Sequence, residues 1–448
     1  MAGRRRLIVG LAWPALAESI LASFISMVDM MMVSGLGAYA INAVGLVTQP
    51  RFVLLASFMA LGVGATAMAA RFKGARDKKN ANAVLNQAIT MTIILTAILC
   101  ALMLIGGESL LRLLAGKNIS ERTIQEAMGY LRIQVYGFPT LSLTFCINAV
   151  LRGVGNTRTS FYSNTAANIV NVFFNYCMIG GNLGFPAMGV RGASLATVIG
   201  QFVGLCIVIY TVCRNGEYLK FDLRQLVRID LSMIRRLLNI GLPALGEQLI
   251  MRVGMLIFTA IITSLGENAY ASHMIAINIQ QLSFTTGLAF GAAAATAVGQ
   301  SLGRVRADLA MIYVRTTQNM CSLVSLIVAV FLFFGGEMVA SLYSNDVDII
   351  HQSAHILKII AVSNPFSNAR FVYMSALRGA GDSRFAAIIT FVGVLLVRPI
   401  ISWVLITHHL PFQIGLTGVW ISLVSDGFIC YAISKVRFMH GAWQTIEV

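Results

Sequence analysis

GLAWPALAESILASFISMVDMMMVSGLG, residues 10–37, makes up nearly all of the first long apolar run of the chain. It is long enough to cross a hydrocarbon layer of about 30 Å as one helix. Two carboxylates interrupt it, Glu18 and Asp29. A charge held in hydrocarbon costs roughly 2.5–3.5 kcal/mol on insertion scales, and such groups commonly handle ions or protons. Eleven residues separate the two acids. That is about three helical turns, so both project from one face.

The same pattern of apolar runs fills all 448 residues. The chain is 57% hydrophobic and only 11% charged, with a mean hydropathy of +0.78. Soluble domains carry about 25% charged residues. The composition therefore implies a polytopic membrane protein. Backbone groups in lipid must bond within their own segment, and the runs do not alternate at period two, so they read as helices. A net charge of +15 raises the question of a nucleic-acid partner. The basic residues fall in alternate loops, as membrane topology requires, so no nucleic acid is expected. The seven cysteines lack metal-ligand spacing and read as small core residues. The start, MAGRRRLIVGLAWPALAES, is built like a signal peptide. The apolar run continues past Ser19, which predicts an uncleaved first span.

Twelve spans are expected. They run over 8–34, 44–70, 82–107, 128–151, 159–180 and 188–213, then 236–264, 272–301, 311–336, 352–376, 384–407 and 415–436. Clusters of Lys and Arg at 4–6, 71–79, 152–158, 214–236, 304–306, 378–384 and 435–437 mark one side. Both termini are then cytoplasmic, with the chain in the cell membrane of a prokaryote. The domain reading is an amino-terminal lobe at 1–213, a cytoplasmic linker at 214–235 and a carboxy-terminal lobe at 236–448. The stretch 221–241 spaces apolar residues helically between arginines. It reads as a solvated link or as a helix lying on the inner leaflet.

The two halves repeat. WPALAES at 13–19 matches LPALGEQ at 242–248, pairing Pro14 with Pro243 and Glu18 with Glu247. SGLGAYA at 34–40 matches SLGENAYA at 264–271, and GVGATAMAA at 62–70 matches GAAAATAVG at 291–299. LRGVGNTR at 151–158 matches LRGAGDSR at 377–384, and GVRGASLATV at 189–198 matches GLTGVWISLV at 415–424. Six spans return the chain to its starting side, so the repeats are parallel and a substrate path is expected between them. The prolines are placed for a bend. Asp29 falls opposite Phe258, so this acid occurs in one half only.

In a dry cleft the charged form of Asp29 is disfavoured, which makes both the neutral acid and the carboxylate accessible near physiological pH. The carboxylate attracts a cation and the acid does not, so proton and cation compete for one site. Asn171 and Asn175 lie one turn apart on one helix face. Their amides can donate to the charged acid or accept from the neutral one. Met30 and Met31, within the run Met27–Met32, supply adaptable thioethers suited to a promiscuous pocket or, equally, to lipid contact. Glu18 and Glu247 sit symmetrically beside proline. They read as lobe-building or gating groups and as secondary cation sites, with Arg252 one turn from Glu247. Arg398 and Asp426 are intramembrane, and each reads as a paired or interfacial group or, alternatively, as a binding group. His273, His351 and His355 read as solvated span ends.

The Leu-Arg-Gly-x-Gly-[Asn/Asp]-[Thr/Ser]-Arg motif after spans four and ten resembles that of the multidrug and toxic compound extrusion (MATE) transporters. So do Gly-Leu-Gly at 35–37, NIVNVFFN at 168–175 and Gly-x-x-Gly-Ala-x-x-Ala-Thr at 189–197. The single acid of span one is similar to that of the DinF-like branch. The resemblance covers nearly the whole chain. It implies two six-helix lobes in a V, alternating access, and export of organic cations and drugs by antiport with H⁺ or, alternatively, Na⁺. It makes Asp29 the coupling residue, with Tyr130, Asn148, Asn171, Asn175 and Thr197 around it. Asn175 stands where some members have a second acid. Ser367 stands near the acid of span ten in the NorM-like branch, which weakens a Na⁺ site in the second lobe.

The expectation is an all-α, twelve-helix secondary transporter, working as a monomer without cofactor and not an enzyme. No Gly-x-x-x-x-Gly-Lys-[Ser/Thr] is present, so ATP hydrolysis is not expected. A flippase for lipid-linked precursors would need an arginine-lined cleft, and intramembrane arginines are few. A membrane-embedded enzyme would need clustered His, Asp or Ser near one interface.

Overall fold

A computed structural model describes residues 2–115, 120–214, 218–221, 229–344, 346–406 and 415–446; the side chains of residues 2–5, 38 and 282 are not described. Twelve long helices and no strand occur among the described residues. They are α1 Ala2–Ser34, α2 Ala38–Gly74, α3 Lys78–Ala115, α4 Glu121–Gly153, α5 Thr157–Gly180 and α6 Gly189–Arg214. The second set is α7 Leu231–Thr263, α8 Glu267–Gly303, α9 Ala307–Ser341, α10 Val347–Ala380, α11 Ser383–Ile406 and α12 Gly415–His440. Ten are long and apolar enough to cross a membrane. The two others, α5 and α10, carry the polar residues Asn164, Asn168, Asn171 and Asn175, and Lys358, Asn364, Asn368 and Arg370. Twelve membrane-length helices are what the apolar runs predict.

The repeat is visible in the backbone. Gly37 and Gly266 share φ near 109° and 107°, and Gly155 and Gly381 share 91° and 97°. Arg76 and Val305, 229 positions apart, both adopt the left-handed region at 60° and 57° without being glycine. The LRGxG motif has a separate reason for each residue. A Cβ on Gly153 would lie 2.6 Å from the Thr66 carbonyl oxygen, and one on Gly379 would overlap that of Ala295. The first glycine thus lets α4 cross α2, and α10 cross α8, at backbone contact. The second glycine turns the chain through the left-handed region that ends the helix. In the first copy Asn156 then caps α5, accepting from the Thr159 N–H at 3.2 Å.

The compact units comprise residues 17–239 and residues 1–16 with 240–448. The division falls inside α1 and α7, close to Pro14 and Pro243, and not in the connector. Ile8, Leu11 and Ala12 are buried in the core of the carboxy-terminal unit with Phe290, Ala293 and Val298. Leu237, 229 positions after Ile8, is fully buried in the amino-terminal unit, its carbonyl against Gly64. Each half of the chain therefore lends the first turns of its first helix to the other unit. Of the connector, residues 215–217 and 222–228 lie outside the described residues, so only part of the expected 221–241 helix can be compared. Its second half is the start of α7, capped by Asp230, which accepts from the Ser232 and Met233 N–H groups at 2.9 and 3.1 Å.

Three expectations change. His273 is buried, its ring packed on Phe258 and Trp420 at centroid distances of 5.6 and 5.5 Å, whereas His351 and His355 are exposed. Cys206 and Cys213 are exposed rather than core. Arg152, counted above as a loop charge, is half-buried and faces Glu18.

Candidate functional site

The cavity that holds Asp29 lies wholly within the amino-terminal unit, has a volume of about 660 Å³, and is lined from α1, α2, α4, α5 and α6. Drug-sized ligands occupy cavities of about 300–1,000 Å³. Helix α1 contributes Glu18, Ala22, Ile25, Ser26, Asp29, Met30 and Val33. Their spacing of three and four residues is that of one helix face.

Asp29 is half-buried at the centre of this wall. Asn175 donates its Nδ2 to the Asp29 Oδ1 at 2.7 Å. The Asn171 amide is assigned with its nitrogen toward Asp29, because that orientation satisfies both of its ends. It then donates to Oδ1 and Oδ2 at 3.0 Å and accepts from the Thr197 N–H at 3.1 Å. The one-turn spacing on α5 delivers both amides to one carboxylate. Charge-assisted bonds of this kind are about twice as strong as neutral ones. Tyr130 lines the floor, nine-tenths buried, and Ser194 of α6 donates to its carbonyl at 3.0 Å.

Arg51 of α2 also lines the cavity, and the sequence reading passed over it. Its charge acts on both Asp29 and Tyr130, and the Tyr130 hydroxyl is the polar group it approaches. The signal was there: a lone arginine after Pro50 inside an apolar run.

Glu18 lies further along the same wall. Asn164 donates to it at 2.6 Å and Arg152 supplies the opposing charge. In the carboxy-terminal unit, Glu247 accepts from Arg378 and Thr390, both at 3.2 Å. Arg378 and Thr390 stand 226 positions after Arg152 and Asn164. The ion pair that the structure gives Glu247 is thus with the arginine of the LRGxG motif. This carboxylate–arginine–donor trio is repeated as a unit, and Arg is the residue suited to such a part-buried pair.

Not every expected residue reaches the cavity. Asn148 is buried but donates to Ser163 at 3.3 Å and does not line it. Met30 lines it, whereas Met31 is 59% exposed and does not. Ser367 is buried in α10, beside Gly427. Around it, Asn364 and Asn368 bond each other at 3.0 Å and Ser283 and Ser325, an uncharged network. Asp426 and Arg398 pair with each other, Nε to Oδ2 at 2.9 Å, with Arg370 a second cation at 3.7 Å.

Twelve membrane-length helices in two repeated units, one of them with an acid-bearing cavity, define a polytopic membrane protein built by internal duplication. The chain belongs to the MatE family, whose model matches it twice, over residues 14–177 and 243–404. Among its relatives, a probable multidrug resistance protein NorM of Thermotoga maritima is 30% identical over 441 residues, covering 98% of this chain and 93% of that one. The multidrug resistance protein MdtK of Edwardsiella ictaluri is 24% identical, covering 94% and 92%. The fold matches the outward-facing structure of a multidrug resistance MATE transporter of the MOP superfamily with a TM-score of 0.90 at 23% identity, covering 98% of this chain and 96% of that one. It matches a MATE structure in the straight conformation equally, with a TM-score of 0.90 over the same shares.

Proposed function

We propose that the chain is a secondary multidrug exporter that moves amphipathic organic cations by antiport with H⁺ through alternating access, with Asp29 as the coupling carboxylate. It would sit in the cell membrane with both termini cytoplasmic, since the Lys and Arg clusters share one side. The observation that carries the reading is the contact set of Asp29: a half-buried acid, held by two neutral amides in a drug-sized cavity, with no ion pair of its own among the described residues. Amides favour the carboxylate without cancelling its charge, so the acid remains available to a cation or a proton. Asn171 and Asn175 turn nitrogens toward Asp29.

The test is dye efflux from proteoliposomes under an imposed pH gradient, without Na⁺. Efflux that follows the gradient and disappears in Asp29→Asn supports the reading. A strict Na⁺ requirement, or wild-type efflux by Asp29→Asn, overturns it.

A further inference from the structure

The cavity contains a cation of its own. Of the three ionisable groups with full charges that line it, Glu18 is already matched by Arg152 and Asn164. Asp29 and Arg51 remain. They influence each other electrostatically, yet among the described residues they make no direct ion pair. Asp29 is satisfied by amides. Arg51 is not satisfied to the same degree: its Nε is buried without a hydrogen-bond partner, and the polar group beside it is the weakly accepting Tyr130 hydroxyl. A guanidinium presents five N–H donors in a planar fork that matches a carboxylate.

These observations decide between two kinds of amphiphile. A plain monocation placed at Asp29 would enter a cavity where Arg51 repels it. A molecule with an ammonium at one end and an acid at the other would meet both fixed charges and leave the cavity neutral. We propose that Arg51 makes the Asp29 cavity selective for zwitterionic amphiphiles, with the cationic group at Asp29 and the acidic group on Arg51. The inference rests on the reading of this cavity as the transport site. Thr48 and Gln201, also in the lining, are uncharged and do not alter the balance.

Rhodamine B, which carries a free carboxylate, and its methyl ester, a monocation, form a matched pair of probes. The ester is the more apolar, so a merely hydrophobic cavity binds it better. Anisotropy titrations of the purified full chain in nanodiscs, at mildly alkaline pH, should show the free acid binding roughly tenfold tighter. Arg51→Gln should reverse that order, weakening the acid about tenfold and strengthening the ester. Arg51→Lys, which keeps the charge, should retain the wild-type order. Wild-type protein that prefers the ester overturns the inference even where Arg51→Gln does not fold. An Arg51→Gln variant that shifts both dyes equally, or neither, also overturns it. Asp29→Asn separates the two readings. If it binds both dyes like wild type while Arg51→Gln reverses their order, the role of Asp29 falls and that of Arg51 stands. If Asp29→Asn loses both dyes while Arg51→Gln leaves their order intact, the converse holds.

Discussion

Asp29 and Asp426 are both acids inside the helix bundle, one in each unit, and they are held in opposite ways. Asp426 is fully buried between Arg398 and Arg370, and its repeat counterpart in the first unit is Gly200. Asp29 is half-buried, held by amides and open to a cavity. Its counterpart is Phe258, fully buried against Trp420 and His273, with the Arg398 guanidinium over its ring. The other cavity residues diverge likewise: at the repeat shifts, Asn171, Asn175, Thr197 and Tyr130 fall opposite Val397, Ile401, Leu423 and Ile356. Duplication gave both units one scaffold. One unit kept a polar hollow and the other filled the equivalent space with rings and a fixed ion pair. An acid paired to arginine is a structural element, because its charge is already spent. An acid held by amides can still change partners.

The sharpest way to break this contrast is to compare stability. Arg398→Met should destabilise the protein by up to about 3 kcal/mol, since a buried carboxylate loses the nearer of its two arginines. Asp29→Asn should change stability by no more than about 1 kcal/mol, because an amide fits among amides. Thermal unfolding in detergent checks both. A large loss in Asp29→Asn would make Asp29 structural. The shared scaffold predicts equal effects in the two units for Gly153→Ala and Gly379→Ala. Each should cost about 1–3 kcal/mol, since a methyl would press on a backbone carbonyl. Unequal costs would mean that the crossings are not equivalent. The smallest stability effect is expected for Asn175→Ala, about 0.6 kcal/mol. Proton-driven dye efflux by this variant should still fall several-fold, because Asp29 loses its 2.7 Å donor. Unchanged efflux would limit the coupling site to Asp29 and Asn171.

Most of this architecture was legible in the sequence, because membrane helices announce themselves by length and the repeat fixes their order. The helical face was legible too: Asn171 and Asn175 at one-turn spacing had to share a surface, and they share it with Asp29. What the sequence could not give was rotation and depth. Arg152 and Arg378 sit at helix ends among topology-setting charges, and only packing shows that they turn inward to Glu18 and Glu247. Met30 and Met31 are adjacent, so about 100° of helix rotation separates the residue in the cavity from the one outside. Asn148 occupies the right helix but bonds to Ser163. The left-handed turns at Gly155 and Gly381 were signalled by glycine, whereas those at Arg76 and Val305 were not.

The most direct measurement is the number of protons released when a dye binds. In a weakly buffered solution near the midpoint of the wild-type binding–pH curve, wild-type protein titrated with a cationic dye should release a fraction of a proton per dye. That fraction should approach about one as the pH is lowered through the transition, as linkage requires for a single competing site. Asp29→Asn, pushed to measurable occupancy with excess dye, should release none. Equal release by both proteins would place the exchanging proton on another group and contradict the account.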